Sequence, residues 1–232
     1  MTFPKVGEIV AKDIRAAEVL KKYGIDFCCG GGISLERACE KKGLDPKEVM
    51  QQIDNHLDSL PNSGIDFNYM PMGALADYIE AKHHNYVRES IDFIEPLLEK
   101  VVRVHGDSHP ELNEISDLFF QSVNELSLHM KKEEKTVFPL IKALEEGRLK
   151  ELDPDASVKY PIEMMEDEHT NEGDRFKRIQ ELTDNYSPPA DACNTYKLVY
   201  HKLKEFNEDL EQHIHLENNI LFQKAIKKEE EL

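Results

Sequence analysis

Two stretches decide the fold of this chain: HMKKEEKTVF at residues 129–138 and HIHLENNILF at residues 213–222. Laid over one another they share His-x3-Glu-x4-Phe, carried by His129, Glu133 and Phe138 and again by His213, Glu217 and Phe222. On a helix, residues four apart stand one turn above each other on the same face. Both pairs also fall on apolar seams. One runs Phe119, Val123, Leu126, His129, Glu133, Val137, Leu140, the other Val199, Leu203, Phe206, Leu210, His213, Glu217, Ile220. Imidazoles and carboxylates inside such a seam are costly unless they are paired or bind a metal. One His–Glu pair can neutralise itself. Two pairs at matching places on partner helices ask for a shared cation.

The repeat extends outward. His84 precedes His129 by 45 positions, and His169 precedes His213 by 44. Residues 71–232 therefore read as a helical hairpin used twice, each copy giving one lone histidine and one His-x3-Glu. The repeat spacing favours His84 over its neighbour His83, which lies about as close to the stripe through Val87, Ile91 and Leu98. The candidate metal ligands are His84, His129, Glu133, His169, His213 and Glu217. A lone histidine on an apolar stripe is more often a core or surface residue, and a single His-x3-Glu decorates many helices; the doubling reverses that reading. Six protein ligands exceed the four of a structural zinc site. They suit two metal ions bridged by the glutamates, with a position left for a small ligand. Imidazole plus carboxylate favours iron or manganese over magnesium and calcium, and ligand type alone leaves manganese and zinc open.

The helical periods predict rods at about 71–104, 110–146, 160–185 and 189–229, an up-down-up-down four-helix bundle. Pro96 and Pro139 should kink or interrupt two of them. The first 60 or so residues read as three short helices: Gly7 to Lys22 ending at Gly24, one capped by Ser34 and running to Lys42, and one opened by Asp45-Pro46-x-Glu48. Pro61-Asn62-Ser63-Gly64 is turn chemistry. The expected organisation is all-α, with a small N-terminal helical domain at residues 1–62 and the bundle at residues 70–232.

Cys28 and Cys29 stand before a glycine loop and a helix start whose backbone N–H groups would favour a thiolate. The pair could accept iron or relay electrons, although one of them could equally be a small core residue. Cys39 and Cys193 read as packing, His105 and His109 as loop-end residues, and His215, His56 and His201 as surface. Gly173, one turn after His169, either leaves a gap for a small molecule or allows close packing. A net charge of −17 argues against nucleic acid and anionic membrane surfaces. No apolar run reaches the roughly 20 residues of a membrane span. Charged residues Glu8, Asp13, Arg15 and Glu18 break any signal-like stretch, so a cytoplasmic location is expected. Four cysteines, two adjacent, make no disulfide framework for 232 residues.

With HHNYVR at His84, His129-x3-Glu133 before VFP, EDEH ending at His169 and HIHLENNILF, the chain resembles the YtfE/ScdA family of di-iron proteins, also called RIC, for repair of iron centres. YGIDFCCGGG is similar to that family's small N-terminal domain. The resemblance implies a hemerythrin-like C-terminal bundle with those six residues as iron ligands, Glu133 and Glu217 bridging together with a solvent-derived oxygen. It also implies help in repairing iron–sulfur clusters after nitrosative or oxidative stress, by release of iron from a labile site. The implied partners are damaged iron–sulfur proteins, with O2 or NO as small ligands; a homodimer is admitted. The alternatives are a hemerythrin-like O2/NO sensor or carrier and a di-iron NO or peroxide reductase. An oxygen carrier's pattern has more histidines and a final aspartate, and this chain departs from it.

Overall fold

The computed structural model describes residues 3–59 and 66–232, so the turn at Pro61–Gly64 lies outside the described residues. Every regular element among them is helical. The N-terminal part holds α1 (Val6–Lys12), α2 (Ala16–Lys22), α3 (Leu35–Glu40) and α4 (Pro46–Asp58). Where one helix was expected from Gly7 to Lys22 there are two. Asp13 takes extended backbone, and its carboxylate accepts the N–H of Arg15 at 3.0 Å, a side-chain turn that competes with the helix. Ser34 caps α3 by accepting the N–H of Arg37, and Asp45 caps α4 by accepting that of Lys47, as the local sequence predicts. The helix begun at Ser34 stops at Glu40, just short of the expected Lys42.

The four rods follow. The first is α5 (Met72–Ile79), a π turn (Glu80–His84) and α6 (Asn85–His105). The second is α7 (Glu111–Lys132), a π turn (Glu133–Val137) and α8 (Phe138–Glu145). After a short α9 (Leu149–Leu152), the third rod is α10 (Lys159–Leu182). The fourth is α11 (Asn194–Leu216), a π turn (Glu217–Leu221) and α12 (Phe222–Glu230). Each rod packs on the next, and the fourth returns against the first, closing the up-down-up-down bundle.

The two prolines behave differently. Pro139 sits at the start of α8, and the α-type ladder before it gives way to a π turn, which leaves its missing N–H without consequence for an α-type bond. Pro96 does not interrupt α6. It lies on the exposed face, as does Asp92 four residues earlier, so the carbonyl left without a partner faces water. The third rod ends at Leu182, earlier than expected, because Asp184, Asn185 and Tyr186 all take positive φ. The fourth starts only at Asn194.

Two apolar clusters make the core. One joins the N-terminal helices to the bundle, from Val6, Leu20, Phe27 and Ile53 through Ile94, Leu126, Phe206 and Ile214. The other lies at the opposite end, among Leu75, Ile79, Phe138, Ile162, Leu216 and Phe222. Full burial of such side chains stabilises by about 1.5–3 kcal/mol each. A polar layer lies between the clusters. Among the described residues no helix is long and apolar enough to cross a membrane.

Candidate metal centre

The polar layer is made by the six residues picked out from the repeat, all between 0 and 3% exposed. They form two four-residue sets: His84, Glu133, His213 and Glu217, and His129, Glu133, His169 and Glu217. Within each set the ligand atoms lie within 4.8 Å of one another, and both carboxylates belong to both sets. Each set takes one histidine from each copy of the repeat. The π turns contribute directly, since His84 closes the first and Glu133 and Glu217 open the other two. π turns inside α-helices recur at functional sites because they re-aim side chains.

Inside the layer, His129 Nε2 lies 3.2 Å from Glu133 and His213 Nε2 lies 3.1 Å from Glu217. His84 Nε2 stands 3.3 Å from Glu133, and His169 Nε2 3.2 Å from Glu217. These are ion-pair separations, but few are directed hydrogen bonds. Both oxygens of Glu133, Oε2 of Glu217 and Nε2 of His84 are buried without a hydrogen-bonding protein partner. The outer ring nitrogens are occupied. His84 Nδ1 meets Glu134 at 2.8 Å, His129 Nδ1 meets Glu168 at 2.8 Å, and His169 Nδ1 meets Asn218 Oδ1 at 2.7 Å. Carboxylates and amide oxygens only accept, so each Nδ1 is the donor. In their neutral form the rings aim bare Nε2 lone pairs inward, and the Nε2 atoms of His129 and His169 stand 2.9 Å apart. Without added protons or metal, every inward-facing atom of these three rings and two carboxylates is an acceptor. Such a centre needs cations, either protons or metal ions.

The titration tendencies show protons in that role. Burial pushes His129 down, but Glu133 and Glu168 outweigh it and lift it to about 10. Burial likewise opposes charge on His84, and Glu133, Glu217 and Glu134 overcome it. For His213 burial wins and lowers it. Burial raises Glu217, yet His213 and His169 hold it well below the ordinary range. Glu168 is held at about 2 by the His129 hydrogen bond, against burial and with help from Lys132. The donor set fits a pair of cations held by nitrogen and oxygen ligands, with the outer carboxylates orienting the rings, as in many metal sites.

Several residues near this centre were not read from the sequence. Glu134 and Asn218 are equivalent in the two copies, one residue after each shared carboxylate, so the repeat itself could have exposed them. Glu168 has only its place before His169 as a signal. His83 is buried too, its Nδ1 on Asp209 at 3.0 Å and its ring stacked on His213.

Other expectations need correction. His215 is buried, against Phe27 and Asn219, and burial lowers it to about 4. His56 is half-buried and pairs with Glu18 at 3.3 Å, since α4 packs on α2. Cys193 is exposed, because it precedes the apolar stripe of α11, and its sulfur faces His105 at 3.3 Å. Gly173 leaves no gap, for a Cβ there would meet Cys29 Sγ at 3.2 Å. Cys29 also donates to the backbone oxygen of His169 at 3.3 Å, which sets the cysteine loop directly over a candidate ligand. Asn219 fixes that loop by donating to the carbonyls of Phe27 and Cys28 at 3.2 and 3.0 Å. The expected thiolate does not hold for Cys28. The Cys29 sulfur, burial and the nearby Asp26 carboxylate push its thiol well above its ordinary value.

A family model described as the hemerythrin HHE cation binding domain matches residues 76–225. A second, ScdA_N, a domain of unknown function, matches residues 4–57. The bundle is thus of the hemerythrin-like, cation-binding class. The chain is 36% identical to the iron-sulfur cluster repair protein ScdA of Staphylococcus haemolyticus, over 94% of this chain and 96% of the relative. It is 36% identical to the iron-sulfur cluster repair protein YtfE of Musicola paradisiaca, over 97% and 96%. A probable iron-sulfur cluster repair protein of Haemophilus influenzae is 35% identical over 96% of each. Within its class the chain belongs to the ScdA/YtfE family.

Proposed function

We propose that this chain takes part in the repair of damaged iron–sulfur clusters, holding two iron ions between its four histidines and two shared glutamates and giving iron up to cluster-depleted proteins. One observation carries the reading: a buried layer of four imidazoles and two carboxylates, sorted into two sets that share Glu133 and Glu217 and leaving both Glu133 oxygens without a hydrogen-bonding partner. The names of the relatives support the repair role.

Bound there, iron supplies a redox-variable Lewis acid that is also the cargo to be delivered. The protein's own groups set how firmly it is held. Glu133 and Glu217 offset cationic charge for both positions at once. Glu134, shared with Arg88, and Glu168, shared with Lys132, fix the ring planes of His84 and His129 and keep their Nδ1 protons in place. Protons compete for the same nitrogens, so a falling pH or rising positive charge in the layer loosens the cargo. Cys29, whose sulfur lies on the His169 backbone, stands with its neighbour Cys28 where a leaving ion would meet sulfur; we assign the pair a receiving role.

The test is iron content per chain after anaerobic purification, followed by transfer to a cluster-depleted acceptor. Two irons per chain and transfer that disappears in Glu133→Leu support the proposal. A protein without stoichiometric transition metal refutes it. A second reading, a carrier or sensor of O2 or NO, draws on the cavity that reaches His129, His169 and His213; reversible ligand binding with no iron transfer would select it.

A further inference from the structure

Three of the four candidate ligand rings have an outer acceptor and the fourth has none. His84 Nδ1 meets Glu134, His129 Nδ1 meets Glu168 and His169 Nδ1 meets Asn218, while Nδ1 of His213 is buried without a hydrogen-bonding protein partner. The repeat tells which residue is due beside it. His84 maps onto His169, 85 positions on, and His83 maps onto Glu168 by the same interval. Glu168 serves the His-x3-Glu histidine of the other copy, His129, so the residue due beside His213 is His83. That is where it lies, 0% exposed, its ring centre 5.6 Å from that of His213 and the planes 12° apart.

His83 is held on two sides. Its Nδ1 donates to Asp209 on α11, 3.0 Å from each carboxylate oxygen, and Tyr78 meets its ring edge-on at 5.9 Å. Its Nε2 is buried without a hydrogen-bonding protein partner. The ring thus fills the acceptor's place and keeps the Asp209 carboxylate one imidazole away from His213. An acceptor on the outer nitrogen fixes a ligand ring's orientation and raises its basicity. The two four-residue sets are otherwise matched, since each has one outer carboxylate, Glu134 or Glu168, shared with a basic side chain. They differ at the remaining ring. His169 has the Asn218 amide, and His213 has a stacked imidazole.

We propose that His83, held by Asp209, makes the His84–His213 position the weaker of the two, so that it fills last and empties first. This deepens the metal-centre reading and rests on it. His83 belongs to neither four-residue set and acts through His213, as a positioning residue. His213 also lines the cavity that reaches His129 and His169, which gives this position an opening of its own.

The test is anaerobic titration of the metal-free full chain with ferrous iron, in competition with a chelator of known affinity. The parent should bind two irons in steps about 10- to 100-fold apart, the span expected for one missing outer partner. His84→Ala should remove the weaker step and keep the tighter one. The double variant His83→Glu with Asp209→Asn conserves charge and moves the carboxylate beside His213. Its weaker step should tighten by about tenfold or more. His83→Gln offers an amide, as Asn218 does, and should move the same step in the same direction; it serves should the double variant not fold. A merely structural role for His83 would loosen binding in both variants and tighten it in neither. Two equal steps in the parent, or a weaker step that neither variant tightens, overturns the role of His83 and leaves the metal centre standing. So does a His84→Ala chain that retains only the weaker step. A parent that takes up no iron sinks the metal-centre reading and this inference with it.

Discussion

Glu134 and Asn218 do the same work in the two halves of the bundle. Each stands one residue after a shared carboxylate, and each holds the Nδ1 of its own half's lone histidine, His84 at 2.8 Å and His169 at 2.7 Å. The halves differ where His83 takes the place that Glu168 occupies in the other copy. His129 leans on a carboxylate, whereas His213 leans on a stacked imidazole and has no partner for its Nδ1. The two positions should therefore hold metal unequally.

Because both sets share the two glutamates, Glu133→Leu or Glu217→Leu should empty both positions together, whereas His84→Ala should empty mainly one. Elemental analysis of anaerobically purified variants reads this directly. With both glutamates replaced, the melting temperature should no longer respond to added iron. A double variant that still gains stability from iron would contradict the shared-carboxylate arrangement.

Removing the outer acceptors should weaken binding without abolishing it. Glu134→Ala and Glu168→Ala each release an imidazole Nδ1, and the expected loss is about 10- to 100-fold in affinity. Competition with a chelator of known affinity measures it. The remaining metal in Glu168→Ala should sit in the set containing His84.

Metal uptake should release protons and strengthen as pH rises. His129 titrates at about 10 in the metal-free fold, against about 6.5 when unstructured. The raised value means that its stabilising charge is fully present below pH ~6.5 and is lost as pH climbs through about 10. Over that window the metal-free protein loses stability while the proton's competition with metal fades. Indicator-dye measurement of protons released at neutral pH, alongside metal affinity against pH, checks both signs. Affinity that is flat over this range would count against His129 as a ligand.

The seating of the cysteine loop is open to direct test. A Cβ at Gly31 would fall 2.6 Å from the backbone oxygen of Phe27 and 2.5 Å from Asn219 Oδ1, too close without movement. Gly31→Ala should cost about 1–3 kcal/mol in chemical denaturation. Asn219→Ala, which loses two hydrogen bonds to the loop, should cost about 1–3 kcal/mol. Both should speed alkylation of Cys28, which is buried in the parent.

The buried His–Glu cluster was legible in the sequence because its pattern was written twice at a fixed interval, and a periodic seam makes polar intruders such as Glu133 stand out. Apart from Glu134 and Asn218, what escaped lacked that redundancy. Glu168 looks like an ordinary helical acid until the fold turns it onto His129. His215 was misread because the ring that covers it, Phe27, comes from the N-terminal part; periodicity within one helix says nothing about a face covered by a distant segment. The π turns at Glu80–His84 and Glu217–Leu221 have no proline to announce them, unlike the one before Pro139.

Each four-residue set borrows a histidine from both hairpins, and that has a mechanical consequence. Neither hairpin owns a complete cradle, so whatever sits in the layer staples the two together. Spreading them along their common seam would break both cradles in one movement. Delivery would then be an all-or-none event governed by how readily the rods part, and a loaded chain would be stiffer than a spent one.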